Sequence, residues 1–232
     1  MNPAPGSPAT PARAARPGRA QETRQAILAT AERLFAQYGL VAVSNRQISD
    51  EAGQGNNTAV GYHFGTKTEL VRAIVQQHTR RIEQLAGPLV ERHAGSTEIR
   101  DWVSCLVLPL TDHLAAHDGP SWYARFCTQV MADPVLRQVI VDDALDVGAV
   151  RATAVGLNRC LRGLPPAVRA ARNDMARHVL LHTCAERERT PRADPGWQET
   201  AATLVDAIVG LLTAPVTCRA ASRHVSEEPV EH

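Results

Sequence analysis

Repeated helix-start signals, separated by helix breakers, are the feature that most limits how this chain can fold. Ser44–Gln47 (SNRQ) and Thr66–Glu69 (TKTE) each place a hydroxyl residue three positions before a Gln or Glu, which is the capping-box pattern found where helices begin. Apolar residues recur at helical spacing, and no segment shows sustained period-two alternation bounded by hairpin turns. The sequence therefore predicts an all-α fold with about nine helices.

Glycine, proline and Asp-Pro pairs set the expected ends of these helices. The long helix that follows Thr66 is expected to end near Gly87-Pro88, because a proline inside a helix removes a hydrogen bond and crowds the preceding turn. The clearest expected helices lie approximately over residues 22–39, 44–53, 57–63, 66–88, 97–117, 133–161, 165–189 and 194–213.

Composition and charge exclude several classes of protein. The 232 residues are 44% hydrophobic, which suits a globular chain, and no apolar stretch reaches the ~20 residues that cross a bilayer. The five cysteines are far apart and odd in number, as expected for reduced thiols rather than disulfides or a zinc site. Residues 1–82 carry ten basic and five acidic side chains, whereas the rest carry fifteen and nineteen. This asymmetry indicates a polyanion-binding module joined to a second part.

The stretch GQGNNTAVGYHF, Gly53–Phe64, follows the second expected helix and allows three kinds of site to be compared. It lacks the patterns of a phosphate-binding loop, a dinucleotide fold and a nucleophile turn. It fits a helix-turn-helix motif, in which Gly53 and Gly55 form the corner. Asn56 or Asn57 would cap the second helix of the motif. Three apolar residues of that helix should face the core: Ala59, Val60 and Phe64.

Two longer segments, Thr23–Gly53 and Tyr62–Val75, resemble the N-terminal signature of the TetR-type transcriptional regulators. The shared pattern combines LF…YG in the first helix, SxRxIxxxAG in the second, and HFG followed by a lysine. The resemblance implies a cytoplasmic homodimer that binds a double-stranded DNA operator of inverted-repeat symmetry. It also implies a C-terminal helical domain that binds a small effector and dimerises, in a repressor released by its ligand. No cofactor and no membrane belong to this expectation.

On this interpretation the chain has four parts. They are a disordered basic Pro/Ala-rich arm over residues 1–20, a helix-turn-helix DNA-binding domain over 21–66, a helical effector-binding and dimerisation domain over 67–214, and a flexible tail over 215–232. The arm either reaches a flanking minor groove or is merely disordered. Its candidate contacts are Arg13, Arg16 and Arg19.

The motif geometry and the resemblance together select the residues expected to contact DNA, the second helix entering the major groove. Relative to the family, the turn is one residue longer, and Gly61 replaces a common tyrosine that contacts phosphate. Tyr62 is therefore expected to substitute for it. The resemblance also places Lys67, the only lysine of the chain, on a phosphate. The full expected set is Ser44, Arg46, Gln47, Asn56, Asn57, Thr58, Gly61, Tyr62, His63 and Lys67.

The back half is expected to hold the effector and the dimer face. The candidates for lining an apolar cavity with a few polar anchors are Trp102, His113, Trp122, Phe126, Cys127 and Met131. Ordinary core packing is the alternative for each. The resemblance implies a four-helix dimer bundle, which would bury two apolar stripes: Val168, Met175 and Val179, then Leu204, Ile208 and Leu211. Packing of these stripes within one chain is the alternative. Two histidine pairs, 113/117 and 178/182, lie one helical turn apart without further ligands, so no metal is expected.

Two other functions stay open on the sequence alone. An all-α enzyme could use the C-terminal cavity and keep the front helices as a scaffold, although no recognisable catalytic motif is present. The protein could instead bind DNA without any effector, or act as an activator.

Overall fold

Ten α-helices make up most of the chain that the computed structural model describes, which is residues 17–54, 58–116, 121–145, 148–190 and 196–217. They are α1 (Pro17–Tyr38), α2 (Asn45–Glu51), α3 (Ala59–Phe64), α4 (Lys67–Arg92), α5 (Ile99–Ala115), α6 (Tyr123–Ala132), α7 (Pro134–Leu145), α8 (Gly148–Cys160), α9 (Pro166–Arg189) and α10 (Trp197–Thr213). These ranges hold no strand. The all-α prediction is confirmed, with ten helices rather than about nine. None of the described helices is long and apolar enough to span a bilayer.

The first three helices and the start of α4 enclose one hydrophobic core. Phe35, Ile48, Val60 and Leu70, one from each of these helices, are all 0% exposed. Burying such side chains stabilises the domain by about 1.5–3 kcal/mol each. The core therefore fixes the orientation of α2 and α3 against α1 and α4.

At both predicted helix starts the N-cap hydroxyl half of the capping box forms. The Ser44 hydroxyl accepts a hydrogen bond from the Gln47 amide at 3.1 Å, at the start of α2. The Thr66 hydroxyl accepts one from the Glu69 amide at 3.1 Å, at the start of α4. Between them Gly53 has a φ of 68°, the left-handed conformation that its lack of a Cβ permits. The starts of α2 and α4 and the left-handed turn at Gly53 are therefore fixed by local sequence.

The long helix α4 joins the two domains and does not end where the sequence predicts. It continues through Pro88 to Arg92. A proline inside a helix removes one backbone hydrogen bond and so lowers the stability of the helix. Apolar packing of the residues on either side offsets this loss of stability. Ala86 is 3% exposed, and Val90 packs against the main hydrophobic core.

The helix expected over residues 133–161 is divided into α7 and α8. The start of α7 could be predicted from the local sequence, because its cap is the neighbouring Asp133. The Oδ1 atom of Asp133 accepts hydrogen bonds from the amides of Val135 and Leu136 at 2.9 and 3.1 Å. The start of α8 could not be predicted in this way, because its cap comes from another helix. Glu83 Oε1 of α4 accepts from the Ala149 amide at 2.7 Å.

Helix α5 lies at the centre of the C-terminal domain. Helices α4, α8 and α10 pack against it, and α9 packs against α6 and α10. As a result Leu204 and Ile208 of α10, at 2% and 0% exposure, are buried inside the chain. The expectation that a partner subunit buries these two residues is therefore wrong. Met175 of α9, which shares the other predicted stripe, is 53% exposed.

Candidate nucleic-acid interface and candidate effector cavity

Helices α2 and α3 bury their apolar side chains and, apart from the buried Ser49, leave their polar ones exposed or half-buried. Ala59, Val60 and Phe64 are 9%, 0% and 8% exposed, as predicted for the core face of the second motif helix. Tyr62 is 85% exposed. Its ring gains little from the core and is available to a partner. The other described candidates on this surface are exposed or half-buried: Ser44, Arg46, Gln47, Thr58, Gly61 and His63.

Helix α1 holds the C-terminal end of α3 in place. The Arg24 guanidinium lies 4.3 Å from the centroid of the Phe64 ring, and its Nη1 donates to the His63 carbonyl at 3.5 Å. The Tyr62 ring meets the His63 ring edge-on, with centroids 5.1 Å apart. The exposed tyrosine therefore stands on a helix end that is anchored to α1.

The two polar candidates on α2 are held differently. Gln47 Nε2 donates to Glu51 Oε1 at 3.2 Å, while Arg33 of α1 donates to Glu51 Oε2 at 2.7 Å. Hydrogen bonds from Arg33 and then Gln47 lower the pKa of Glu51. Arg46 has only a loose contact, 3.7 Å from Asp50, and its side chain is 77% exposed. Gln47 thus helps to fix α2, whereas the guanidinium of Arg46 faces solvent.

Lys67 supports the loop between α1 and α2. Its Nζ donates to the carbonyls of Leu40 and Val43, at 2.7 and 2.8 Å, and lies 5.8 Å from the centroid of the Phe35 ring. Burial lowers the pKa of this lysine. Two of its three N–H groups therefore stabilise the protein itself. The phosphate contact that the resemblance implies stays a prediction, for which one donor remains.

Several expected DNA contacts lie outside the described residues. Asn56 and Asn57 are two of these, and the structure describes the chain again from Thr58, the N-cap residue of α3. Arg13 and Arg16 of the arm also lie outside. Their roles stay predictions.

A cavity of about 500 Å³ lies in the C-terminal domain among helices α4 to α10. Its size falls within the range of roughly 300–1,000 Å³ that is typical of small-molecule sites. Of the six predicted lining residues, Cys127 and Met131 do line it. Burial raises the pKa of the Cys127 thiol far above its usual value, so this thiol stays neutral and is no activated nucleophile. The wall is mostly apolar, and its chemistry is suited to binding.

Two predicted tryptophans pack elsewhere in the domain. Trp102 is 4% exposed and donates its indole N–H to the Ser96 carbonyl at 3.0 Å. Its ring lies against Gly156 of α8, where an added Cβ would come within 2.1 Å of a ring carbon. Trp122 is covered by the Arg125 guanidinium, 3.8 Å from the ring centroid. Both tryptophans therefore serve helix packing.

The predicted His113 belongs to a buried polar cluster rather than to the cavity wall. Its Nε2 lies 2.8 Å from Nδ1 of His78 on α4, and His78 Nε2 lies 2.8 Å from Glu32 Oε2 on α1. The His78 ring stacks on the ring of Tyr123, with centroids 3.8 Å apart. Tyr123 does line the cavity. The cluster therefore connects the cavity wall to α1 of the N-terminal domain.

The predicted Phe126 does not line the cavity and contacts the N-terminal domain instead. It is 0% exposed, and its ring stacks on Phe35 of α1 with centroids 6.2 Å apart. Tyr123 and Cys127, its neighbours on α6, face the cavity. One short helix therefore touches both the cavity and the core that α1 shares with α2 and α3.

Sequence reasoning missed the polar lining residues Asn158, Asn173 and Arg177. Asn173 and Arg177 lie one turn apart on α9, and Ala176 and Leu180 beside them also line the cavity. The sequence did contain one signal for these lining residues: polar residues share a face of α9 with small and apolar ones. That signal does not say which face of α9 turns inward.

Among the described residues, the second histidine pair has no further metal ligand nearby. His178 and His182 are both exposed, with ring centroids 6.2 Å apart. Within the described residues, no group of three or more His, Cys, Asp or Glu side chains could hold a metal ion. His117 of the other pair lies outside the described residues.

Comparisons with known proteins agree with this architecture. Residues 27–74 match the family model described as bacterial regulatory proteins, tetR family. The solved structure of AmtR from Mycobacterium smegmatis is similar at 20% identity and a TM-score of 0.56, over 87% of this chain and 90% of AmtR. NalD, the secondary repressor of the MexAB-OprM multidrug efflux pump in Pseudomonas aeruginosa, is similar at 22% identity and a TM-score of 0.54, over 82% of this chain and 96% of NalD.

A search of curated protein sequences finds no significant match. The family model nevertheless covers the helix-turn-helix region described above, and the solved structures share the fold along most of the chain. The resemblance predicted from the sequence is thereby confirmed: the chain has the fold of the TetR-family transcriptional regulators, with an N-terminal helix-turn-helix domain and a C-terminal helical domain.

Proposed function

We propose that this protein is a dimeric transcriptional repressor that binds an inverted-repeat DNA operator through α2 and α3 and is released by a small molecule in the cavity. The observation that carries the proposal is the outward-facing α3, on which Tyr62 is 85% exposed while Val60 and Phe64 anchor the helix in the core. A free aromatic on an anchored helix-turn-helix serves recognition better than stability.

The proposed DNA contacts divide into positioning and reading. Arg46, with its guanidinium in solvent, would contact a phosphate, as an exposed arginine at a groove edge does. Tyr62 and Thr58 would lie in the major groove, which is wide enough to admit a helix. In a two-fold dimer these contacts recur on half-sites about 34–36 Å apart or a multiple of that distance.

The proposed dimer interface uses the outer faces of α9 and α10. Met175 on α9 is a large exposed apolar residue. On α10 the exposed positions are mostly small, which permits close approach of a second helix pair: Ala202, Thr203, Ala207 and Gly210. We expect an equilibrium molecular mass of twice the chain mass at micromolar protein. A strict monomer at that concentration contradicts the dimer.

The release step is proposed to run through α6. A ligand that displaces Tyr123 would disturb its stacking on His78 and, through His78, the contact with Glu32 of α1. It would also shift Phe126 against Phe35. A ligand changes the DNA affinity only if it binds the DNA-competent and DNA-incompetent conformations with unequal affinity. Helix α6 can couple the two sites because it contacts both the cavity and the core beneath α2 and α3.

The test is electrophoretic retention of DNA from upstream of the protein's own gene. Wild-type protein should retain this DNA, whereas Tyr62→Ala and Arg46→Ala should bind it weakly. Arg46→Ala should also reduce the slope of log affinity against log salt by about 1, because one phosphate contact is lost. The matched control is Val41→Ala, at a position 95% exposed in the loop before α2, which should bind as the wild type does.

Two results would contradict different parts of the proposal. Full binding by both Tyr62→Ala and Arg46→Ala would refute the assignment of the DNA-facing surface. Failure of the folded wild type to retain any segment of that upstream DNA would refute the proposed function. Circular dichroism of each variant establishes that the protein is folded.

A further inference from the structure

We propose that the effector is an apolar organic acid whose anionic head group binds Arg177, beside Asn173 and Asn158. The inference rests on the proposed function, because it names the class of ligand for the same cavity. It follows from how charge and hydrogen-bonding groups are distributed over the cavity wall.

Charge on the wall has one sign. Among the described residues that line the cavity, Arg177 is the only one with a formally charged side chain. The body of the cavity is apolar, with side chains such as Leu106, Ile140 and Leu157. A cationic ligand would be desolvated there without a carboxylate partner, which is costly. An anion finds Arg177, whose planar fork of N–H donors suits a carboxylate.

Two buried polar groups of the cavity lining already have partners. The Thr153 hydroxyl donates to the Ala149 carbonyl at 2.8 Å. The Tyr123 hydroxyl interacts with Cys127 and Thr79, and burial raises its pKa well above the usual value. These groups therefore do not demand a polar ligand, and the lining around them favours an apolar body.

The remaining polar groups come from α8 and α9. Asn173 and Arg177 lie at i and i+4 on α9 and so share one face. Asn158 lies near the end of α8 and is exposed. In the part of the chain that the structure describes, neither asparagine side chain makes a hydrogen bond. Two amides and a guanidinium are thus available to one head group.

Arg177 is held only loosely by its neighbour. It donates to Asp174 Oδ1 one turn earlier, in a pair whose side chains are 31% and 61% exposed. Ion pairs this exposed contribute about 0–1 kcal/mol, because water screens them. A ligand carboxylate in the less exposed cavity can therefore compete with Asp174 for the guanidinium. This predicts that Asp174 weakens anion binding.

The alternative is a cationic ligand, because a smaller recess beside the cavity contains carboxylates that could bind a cation. Glu83 and Asp143 line that recess. Asp143 accepts from Arg72 at 2.6 Å, and Glu83 Oε1 accepts from the Ala149 amide. Glu83 Oε2 is buried without a hydrogen-bond partner among the described residues. The test must therefore include a cation of matched size.

The experiment is titration calorimetry of the full chain, without DNA, with three probes of the same chain length. The probes are decanoate, 1-decanol and decyltrimethylammonium, each below the concentration at which it forms micelles. Decanoate should bind the wild type most tightly. Arg177→Gln should weaken decanoate about tenfold or more, the size of a lost charge-assisted hydrogen bond, and leave decanol unchanged. Asp174→Asn should tighten decanoate binding by a few-fold.

The Asp174→Asn variant keeps the test decisive if Arg177→Gln is poorly folded, since a purely structural role for the pair predicts no gain in affinity. Equal or tighter binding of decanol or of the cation, or no binding of any probe, overturns the inference. Because no DNA is present, these outcomes do not depend on operator binding. Retention of upstream DNA by the wild type together with a preference for the cation would leave the repressor proposal standing and remove only the acid.

Discussion

The proposed DNA-facing surface, formed by α2 and α3, and the cavity domain are built in opposite ways. At the surface, helix starts are fixed by neighbours in sequence, such as the Ser44 hydroxyl on the Gln47 amide, and Tyr62 points into solvent. Around the cavity, contacts join distant segments, as when Glu188 of α9 holds the start of α6. Surface residues should therefore affect binding more than stability, and cavity-domain residues should affect stability first.

Replacing Phe126 with alanine should have the largest effect. The ring is fully buried between α6 and α1, and truncating such a side chain costs about 3–5 kcal/mol of unfolding free energy. Urea denaturation followed by circular dichroism measures the loss. The contrasting variant is Tyr62→Ala, expected within about 0.5 kcal/mol of wild type. Equal losses for both would remove the distinction between the two regions.

The next largest effect is expected for Glu188→Ala. The Glu188 side chain is 0% exposed and accepts hydrogen bonds from the Ser121 hydroxyl and the Ala124 and Arg125 amides, at 2.6, 3.0 and 2.9 Å. Without it, amides at the start of α6 lose their acceptor inside the protein, at a cost of about 3 kcal/mol. Glu188→Gln keeps one acceptor oxygen and should lose less. A neutral Glu188→Ala in urea denaturation would show that α6 needs no cap from α9.

This long-range cap explains why the sequence did not predict α6. The starts of α2 and α4 were predicted because Ser44 and Thr66 satisfy amides three residues away. The amides of α6 are satisfied 63 and 64 residues along the chain. No local pattern carries that information, and the same holds for α8, which Glu83 caps from α4.

The cavity was predicted only in part for a related reason. Six candidates were taken from the aromatic, histidine and sulfur-containing side chains of the back half, and of these Cys127 and Met131 do line the cavity. Trp102 and Phe126 lie in the core instead: Trp102 packs against Gly156, and Phe126 packs against Phe35. Arg177 escaped notice because its inward face depends on how α9 meets α6 and α10. Periodicity finds helices, whereas tertiary packing decides what each face meets.

A third, smaller effect is expected for Gly156→Ala in α8. An added Cβ would lie 2.1–2.4 Å from atoms of the Trp102 ring, which is itself buried. The helices must separate or the ring must move, at a cost of about 1–3 kcal/mol. The matched control is Gly87→Ala in α4, where a Cβ meets nothing within 4 Å. That change should stabilise by about 0.5–1 kcal/mol, because alanine favours helix. Similar thermal midpoints for both variants would contradict the close α5–α8 packing.

Lys67→Met is expected to have the smallest of these effects on stability. It is also the variant that most sharpens the comparison between the two regions. Lys67 is one of the proposed DNA contacts, yet its Nζ donates to the carbonyls of Leu40 and Val43. Half-buried hydrogen bonds of this kind contribute about 1 kcal/mol net, so the variant should lose roughly that much in urea denaturation. If the third N–H also contacts phosphate, the variant's DNA affinity should fall further than that of Val41→Ala, and its salt slope should drop by about 1.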